Sequence, residues 1–259
     1  MPLRDLVSRI TLLKVAGGQA RRARDLVVRE TLLRIVLDGR EIVRLACLPL
    51  HLEDLALGFL LAEGYITGLA DLRRWSLKGE TFSAVSTAKR KSGRGVPTLL
   101  SGCGGAISRR ALDAPLPSLD RRVDLMCQFP LDRILKCSAE FQALDRVHTK
   151  TGGSHSAAVG DARRILFCTS DIGRHNALQK VIGWALRTGV PLQDKAAYVT
   201  GRISAEIVLH CAAAEIPVLV SRAAPTSLAL ERTLEAGLTL VGFARGGRCN
   251  IYAHPERLT

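Results

Sequence analysis

The chain has 259 residues, 47% apolar and 24% charged, which is typical of a soluble globular protein with one large domain or two ordinary ones. Its formal net charge of +13 favours an anionic partner such as nucleic acid, a phosphate-bearing cofactor or an acidic protein, although a basic surface can also serve solubility alone. Aromatic residues make up only 4%, which argues against a surface that stacks single-stranded bases.

The expected absence of targeting signals and the irregular cysteine content together predict a reduced, cytoplasmic setting. We expect no secretory leader, since Arg4, Asp5 and Arg9 interrupt the first segment, and no stretch reaches the length of a membrane span. Seven cysteines without regular spacing do not make a disulfide framework, and such thiols stay reduced in the cytoplasm. No C-x-x-C occurs, so we expect no bound metal.

The first half of the chain predicts paired strands followed by a helix. An Asp38-Gly39 turn flanked by β-forming residues is a strong hairpin signal. Apolar residues at helical spacing predict a helix from Leu52 to Ala62, with Gly64 as a candidate for its C-terminal cap. The strand-like runs lie at 26–28, 31–37 and 42–45. Further along, we expect a strand pair or exposed loop at 77–95, a short helix at 106–112 and a linker at 114–118.

The pentapeptide Ser101-Gly102-Cys103-Gly104-Gly105 sets one cysteine among small, flexible residues. The glycines remove Cβ bulk and permit positive φ, so the backbone could present the sulfur to a large partner. Taken alone, this pattern is more often an ordinary buried cysteine beside a turn. Cys249 is less easily classified, whereas the remaining five cysteines lie in apolar segments and are interpreted as inert core thiols: Cys47, Cys127, Cys137, Cys168 and Cys211.

The second half alternates helices and strands. Helices are predicted at 131–148, 174–186, 204–213 and 227–236, and strands at 156–160, 164–168, 196–199, 218–220 and 238–243. This alternation predicts a layered α/β sheet with parallel pairings. In such sheets ligands bind outside the carboxyl ends of the strands.

Four loops that follow predicted strands all contain arginine, namely 170–175, 200–202, 221–226 and 244–248. Arginines beside helix N-termini suit bidentate recognition of phosphate, although a solvated arginine is the commoner explanation for any single loop. His155 and His175 could donate to phosphate, act as acids or lie beside helix caps, and Asp171 could cap the helix that begins near Arg174. The usual nucleoside-triphosphatase and dinucleotide motifs are absent.

Several blocks, in order along the chain, resemble the FdhD family of formate dehydrogenase accessory sulfurtransferases. They lie at 49–64, 151–155, 171–177, 221–227 and 240–247. The resemblance implies an α/β fold in which residues 121–259 form a cytidine-deaminase-like, cofactor-binding layered sheet and residues 1–120 form a smaller α+β part with the Cys103 loop. The zinc signature of true deaminases is missing, so deamination is not supported.

The resemblance implies a persulfide carrier with Cys103 as its nucleophile. Such a protein takes sulfur from a cysteine desulfurase and hands it to the molybdenum or tungsten bis(guanine dinucleotide) cofactor of formate dehydrogenase. The reactive species is the thiolate, and a basic protein can lower the pKa of its thiol. A homodimer is expected, with neither nucleic acid nor membrane as a partner. Residues predicted to hold the molybdenum cofactor or a GDP-like nucleotide are Arg174, His175, Arg202, Ser221, Arg222, Thr226, Phe243, Ala244, Arg245, Gly246, Gly247 and Arg248.

One departure from the family bears on mechanism. The family usually has C-G-x-C where this chain has Cys103-Gly104-Gly105-Ala106, so Ala106 replaces the second cysteine unless a gap aligns Cys103 with it. Gln179 also stands where an acidic residue commonly precedes Lys180. A non-catalytic cofactor chaperone is therefore the alternative hypothesis. An RNA-binding protein is a third, which a steep salt dependence of binding would reveal.

Overall fold

The computed structural model describes residues 2–87 and 127–259, together with the backbone of residues 98 and 99. The Cys103 loop, the predicted helix at 106–112 and the predicted linker at 114–118 lie outside the described residues. So does the predicted boundary between the two parts at residue 120, which stays a prediction. The described residues form a mixed α/β fold, as predicted.

The N-terminal part contains a two-stranded ribbon and a five-stranded sheet. The ribbon pairs β1 (Val7–Ala16) with β2 (Gln19–Val28). The predicted hairpin is confirmed, because Asp38 and Gly39 take φ of 52° and 78° between two antiparallel strands. The five-stranded sheet has the order β5-β6-β3-β4-β7, with β3 at Thr31–Leu37, β4 at Arg40–Cys47, β5 at Leu72–Lys78, β6 at Thr81–Ser86 and β7 at Thr98–Leu99.

The second sheet has six strands in the order β13-β12-β11-β10-β8-β9. The three central strands β10, β11 and β12 run parallel, and the flanking pairs are antiparallel, so the predicted parallel α/β arrangement is confirmed. The bounds are β8 at His155–Gly160, β9 at Ile165–Asp171, β10 at Ala196–Val199, β11 at Val218–Ser221, β12 at Thr239–Arg245 and β13 at Arg248–Ala253.

Helices cover both faces of this sheet. The helices of the described residues are α1 (Leu52–Ala62), α2 (Leu131–Leu144), α3 (Arg146–Thr151), α4 (Arg174–Thr188), α5 (Ala205–Ala213) and α6 (Ser227–Ala236). On one face, α2 packs Ile134 and Phe141 against Tyr198. On the other, α4, α5 and α6 share one apolar core with α1 and the five-stranded sheet. A layer of helices therefore lies between the two sheets.

A single helix from 131 to 148 was predicted, and this is wrong because Asp145 divides it. Asp145 is buried at φ −76° and ψ 67°, outside the helical range, and its carboxylate accepts a hydrogen bond from the backbone N of His148. The same carboxylate accepts the Ser156 hydroxyl at 2.6 Å. The residue ends α2, caps α3 and ties both to β8.

Helices α1 and α4 cross in backbone contact through two glycines. A Cβ added to Gly58 would lie 1.8 Å from the carbonyl oxygen of Gln179, and one added to Gly183 would lie 1.8 Å from that of Asp54. Asp54 also forms a two-bond ion pair with Arg187, its Oδ1 lying 2.6 Å from Nε. Only glycine permits this approach. The crossing joins the N-terminal part to the six-stranded sheet.

We expect Gly58→Ala to lower the free energy of unfolding by about 3 kcal/mol, the upper end of the usual cost of overpacking, because the added methyl group meets backbone rather than a side chain that can move. This loss is net of alanine's better helix propensity, about 1 kcal/mol. Gly68→Ala is the matched control, since Gly68 has extended backbone and nothing within 4 Å of an added Cβ. Equal urea midpoints for both variants would contradict the backbone contact.

Candidate functional site

The ends of several strands meet at one edge of the six-stranded sheet. Strands β9, β10, β11 and β12 all run in the same direction and end there, and β8 begins there with His155 opposite Asp171. The four arginine-containing loops that follow these strands therefore share this edge, as their order in the sequence predicts. We call this edge, formed by residues 170–175, 200–204, 221–226 and 243–248, the rim.

Gly201 lies where three of the rim segments touch. A methyl group added to it would lie 3.1 Å from Cδ of Arg174 and 3.4 Å from Nδ1 of His155. Its carbonyl accepts the hydroxyl of Ser221 at 2.8 Å. Arg174 and Ser221, predicted from separate loops, thus both lie against Gly201.

Two side chains predicted to bind the ligand form hydrogen bonds with the backbone of the rim loops. Ser221 Oγ donates to the carbonyl of Gly201 and accepts from the backbone N of Ala223 at 3.0 Å. Thr226 caps α6, where its side chain accepts from the backbone N of Ala229 at 3.3 Å. These bonds assign both hydroxyls a positioning role, and direct contact with a ligand stays a prediction.

The last rim segment begins at a strained residue inside β12. Phe243 has φ of 52°, which is rare for a bulky side chain, and its backbone N donates to Ala223 O at 3.3 Å. The carbonyl of the next residue, Ala244, accepts from Ser138 Oγ at 3.0 Å and Gln142 Nε2 at 3.2 Å, which anchors the segment on α2. Strain held in place by such contacts is characteristic of ligand sites.

Beyond Ala244 the chain turns back in a tight hairpin. Gly246 and Gly247 take φ of 59° and 74°, and the turn sets Arg245 directly opposite Arg248 across the strands. Both arginines are exposed. Like charges in directly opposed positions destabilise a hairpin, so this turn favours an anion between them.

The charge of the rim is positive and largely uncompensated. Arg202, Arg222, Arg245 and Arg248 are exposed, and none makes an ion pair with another described residue. Helices α4, α5 and α6 begin at the same edge, and their N-termini add partial positive charge. The arrangement suits a ligand with several anionic oxygens.

His175 in the rim and His155 beside it are both held neutral. Burial lowers the pKa of His175, and this outweighs the hydrogen bond of its Nε2 to Glu206 Oε2 at 2.9 Å, which raises it. Burial and then the Arg174 guanidinium lower the pKa of His155. At neutral pH these imidazoles act as hydrogen-bonding groups and add no charge to the rim. Sequence reasoning missed Glu206, which no motif marks.

Asp171 was predicted to cap α4, and this is wrong because its carboxylate serves a buried polar cluster instead. Gly173 is the N-cap residue and has no side-chain cap. Asp171 Oδ2 lies 2.6 Å from Nζ of Lys180, and both side chains are fully buried. Its Oδ1 accepts from the backbone N of Gly173 and from the amide of Asn176, at 2.9 and 3.0 Å.

This cluster also binds the chain that enters α1. Asp171 accepts the backbone N of Leu48 at 3.1 Å, Lys180 donates to the carbonyl of Leu48 at 3.1 Å, and Asn176 donates to that of Ala46 at 2.9 Å. Lys180 lies within the helix predicted at 174–186, and no local pattern marked its side chain as buried.

Burial accounts for the character of five of the six described cysteines. Burial raises the pKa of Cys47 to about 12, and the nearby Asp171 carboxylate contributes to this shift. Burial raises the pKa of Cys168 to about 12 as well. Burial also raises the pKa values of Cys137, Cys211 and Cys249. Cys127 is half-buried. None of the five with a raised pKa is poised to form a thiolate.

Two general features of the described residues complete the site. Within residues 2–87 and 127–259, no three His, Cys, Asp or Glu side chains are grouped so that they could hold a metal ion. Over the same residues, no helix combines the length and apolar character needed to cross a membrane.

The fold and the rim define a mixed α/β protein with a cationic ligand edge, and comparison with known proteins identifies its family. A family model described as the FdhD/NarQ family matches residues 28–259, so the chain belongs to that family. The Sulfur carrier protein FdhD of Listeria innocua is 34% identical over 260 residues, covering 98% of this chain and all of that protein. The protein of the same name from Bacillus subtilis is 31% identical over 253 residues, covering 93% of each.

A solved structure agrees with this assignment. The crystal structure of a Desulfotalea psychrophila protein assigned as a formate dehydrogenase accessory protein superposes with a TM-score of 0.80. It is 27% identical in sequence and covers 98% of this chain and all of its own. The predicted family and the mixed α/β fold are both confirmed.

We expect Lys180→Met to destabilise the protein by about 3–5 kcal/mol, because it leaves the Asp171 carboxylate buried without its counter-charge. Lys136→Met is the matched control. Lys136 pairs with Asp132 at 2.9 Å on the exposed face of α2, and such a pair contributes only about 0.3–0.5 kcal/mol. Guanidinium unfolding measures both. A loss below about 1 kcal/mol for Lys180→Met would show that the buried pair is dispensable.

Proposed function

We propose that this protein is a sulfur carrier for formate dehydrogenase. In this proposal Cys103 accepts sulfur from a cysteine desulfurase as a persulfide and passes it to the molybdenum or tungsten bis(guanine dinucleotide) cofactor, which binds the rim as substrate. The names of the relatives support the sulfur-carrier role, and the accessory assignment of the solved neighbour supports the client. The cysteine desulfurase and the identity of the cofactor rest on the family resemblance.

The distribution of the thiols is the observation that carries the proposal. A carrier cysteine must be reachable and must form a thiolate. Five of the six described cysteines have pKa values raised by burial, and the sixth, Cys127, is half-buried beside the core under α2. Cys103, in its glycine-rich segment, is the thiol best suited by sequence to the task.

The first step needs only one thiol of this chain. The Cys103 thiolate attacks the terminal sulfur of the donor's persulfide, a new S–S bond forms on Cys103, and the S–S bond of the donor breaks. The electron pair of that bond leaves with the donor cysteine as a thiolate, so no outside oxidant or reductant is consumed. Ala106 in place of a second cysteine is compatible with this step, which forms no disulfide within the chain.

The rim supplies the groups that a guanine dinucleotide needs. Exposed arginines can each bind phosphate oxygens through two parallel hydrogen bonds, and the opposed positions of Arg245 and Arg248 support a diphosphate bound between them. Gly246 and Gly247 let the backbone approach the ligand. Phe243 is half-buried at the base of the same segment and is the candidate support for the base.

The second candidate function is a chaperone that binds the cofactor and delivers it without moving sulfur. Ala106 favours it, because a family member that has lost one of two cysteines could keep the cofactor rim while losing transfer. The rim is equally suited to both functions. The fate of Cys103 separates them.

Cys103 should gain sulfur when the protein is incubated with a cysteine desulfurase and cysteine. We expect intact-mass spectrometry to show one added sulfur and peptide mapping to place it on Cys103. Cys103→Ala should remain unmodified, whereas the control Cys249→Ala should be loaded like the wild type, because burial raises the pKa of the Cys249 thiol. Added sulfur on Cys249 or Cys47, with Cys103 unmodified, would remove the assignment of Cys103.

The rim predicts binding of guanosine diphosphate, a fragment of the proposed substrate. We expect Arg245→Ala with Arg248→Ala to weaken binding at least about tenfold, since each charge-assisted bond contributes about 1.5–3 kcal/mol. The control is Arg73→Ala with Arg74→Ala, which removes two exposed arginines from β5. Calorimetry at fixed salt measures the affinity. Unchanged affinity in the rim variant would place the nucleotide elsewhere.

A further inference from the structure

The β1–β2 ribbon is anchored at one end only. Its ten paired residues per strand make it about 33 Å long at the usual rise of a strand. The anchored end packs Val7 and Val28 into a small apolar cluster with Leu48 and Val147. Toward the Gly17-Gly18 turn, both faces are open, and two-stranded hairpins without such support are only marginally stable.

The free end exposes aliphatic side chains that have no place in the core. Leu13 is 63% exposed and Val15 65%, and Ile10 is exposed as well. Single exposed apolar residues are ordinary, but Leu13 and Val15 lie two residues apart and therefore on the same face of the ribbon, whereas Ile10 lies on the other face. A pair of exposed aliphatic side chains on a projecting element is suited to contact a partner.

The charge of the ribbon is strongly one-sided. It carries five basic residues and a single acidic one, Asp25: the basic residues are Arg9, Lys14, Arg21, Arg22 and Arg24. None of the five makes an ion pair with a described residue. Lys14 lies directly opposite Arg21, an arrangement that destabilises a strand pair unless an anionic group lies nearby.

The ribbon's residue types select among anionic partners. It has no aromatic residue on which bases could stack. Its register places Lys14 and Arg21 on one face and Arg9, Arg22 and Arg24 on the other, so neither face is purely apolar as insertion at a membrane surface requires. Aliphatic side chains interleaved with cations fit an acidic protein surface with apolar patches.

We propose that the β1–β2 ribbon is a docking arm for an acidic face of the protein that donates sulfur. The inference rests on the proposed function, in which sulfur passes from a cysteine of the donor protein to Cys103. This step requires direct contact between the two proteins, whereas the cofactor that finally accepts the sulfur is a small molecule held by the rim. The anchored end adjoins the rim: a Cβ on Gly153 would lie 3.1 Å from Val28 Cγ2, and His155 follows two residues later. The base of the arm therefore lies close to the sheet edge that carries the rim.

The test is calorimetric binding of a cysteine desulfurase to the full chain at fixed salt. Lys14→Glu, Arg21→Glu and Arg22→Glu together should weaken binding at least about tenfold, as charge reversal at a complementary interface does. The control reverses three exposed charges of β5 with Arg73→Glu, Arg74→Glu and Lys78→Glu, so its net charge changes by the same amount as that of the ribbon variant. It should bind within about twofold of the wild type, because the reversed charges lie outside the ribbon. Leu13→Ser with Val15→Ser should also weaken binding without altering charge.

Three results would overturn the docking arm. The first is that the wild type does not bind the desulfurase, and the second is that the ribbon variant binds it as tightly as the wild type. The third is that the ribbon variant loses affinity for duplex DNA or phosphatidylserine vesicles while it still binds the desulfurase. Cys103→Ala separates this inference from the proposed function, because it should bind the desulfurase like the wild type. Binding that depends on the ribbon, without any sulfur reaching Cys103, would support the arm and refute the carrier role.

Discussion

The buried ion pair between Asp171 and Lys180 determines where the rim lies relative to the N-terminal part. Asp171 is the last residue of β9 and therefore belongs to the sheet edge, while Lys180 lies two turns into the helix that starts there. Both side chains bind the backbone of Leu48, just before α1 begins. Since a buried pair adds little stability over apolar packing, its main consequence is a defined geometry.

The helix crossing at Gly58 and Gly183 continues the same constraint. Because α1 and α4 touch through backbone, the distance between the two parts of the protein is set by main-chain atoms rather than by side chains that can change rotamer. The rim loops are in turn joined by backbone bonds, such as Ile203 N to Ala224 O at 3.1 Å and Thr226 N to Ile203 O at 3.0 Å. The exposed arginines thus project from a scaffold that is already ordered, which reduces the cost of binding an anion.

The rim and the ribbon share one electrostatic feature. Arg245 faces Arg248 in the rim hairpin, and Lys14 faces Arg21 in the ribbon, each without an acidic partner among the described residues. Both arrangements are unfavourable in the isolated protein and become favourable beside anions. Both places therefore expose unpaired positive charge where the proposed function needs a phosphate-bearing substrate and an acidic protein.

Local patterns made much of the fold predictable. The Asp38-Gly39 hairpin, helix α1 and the alternating strands and helices of the second half carry clear periodicity or turn residues, and the convergence of arginine loops follows from parallel strand direction. The part of the ribbon before Leu26 was missed because both of its faces are exposed, so it lacks the alternation of a half-buried strand.

The unpredicted parts of the site depend on contacts between distant residues. The break at Asp145 arises from its bond to Ser156, and the burial of Lys180 arises from Leu48 and Asp171. No local pattern encodes either contact. Glu206 was missed for the same reason, because its place beside His175 comes from the packing of α4 and α5 at the rim.

The most direct test of the carrier role follows labelled sulfur through a single turnover. The protein is loaded on Cys103 with ³⁵S from labelled cysteine and a desulfurase, freed of the donor, and mixed with formate dehydrogenase whose cofactor lacks its sulfur ligand. The account predicts that the label leaves the protein and appears in the cofactor of the dehydrogenase as formate oxidation begins. Activation of the dehydrogenase while the label remains on Cys103 would contradict it and establish the chaperone function instead.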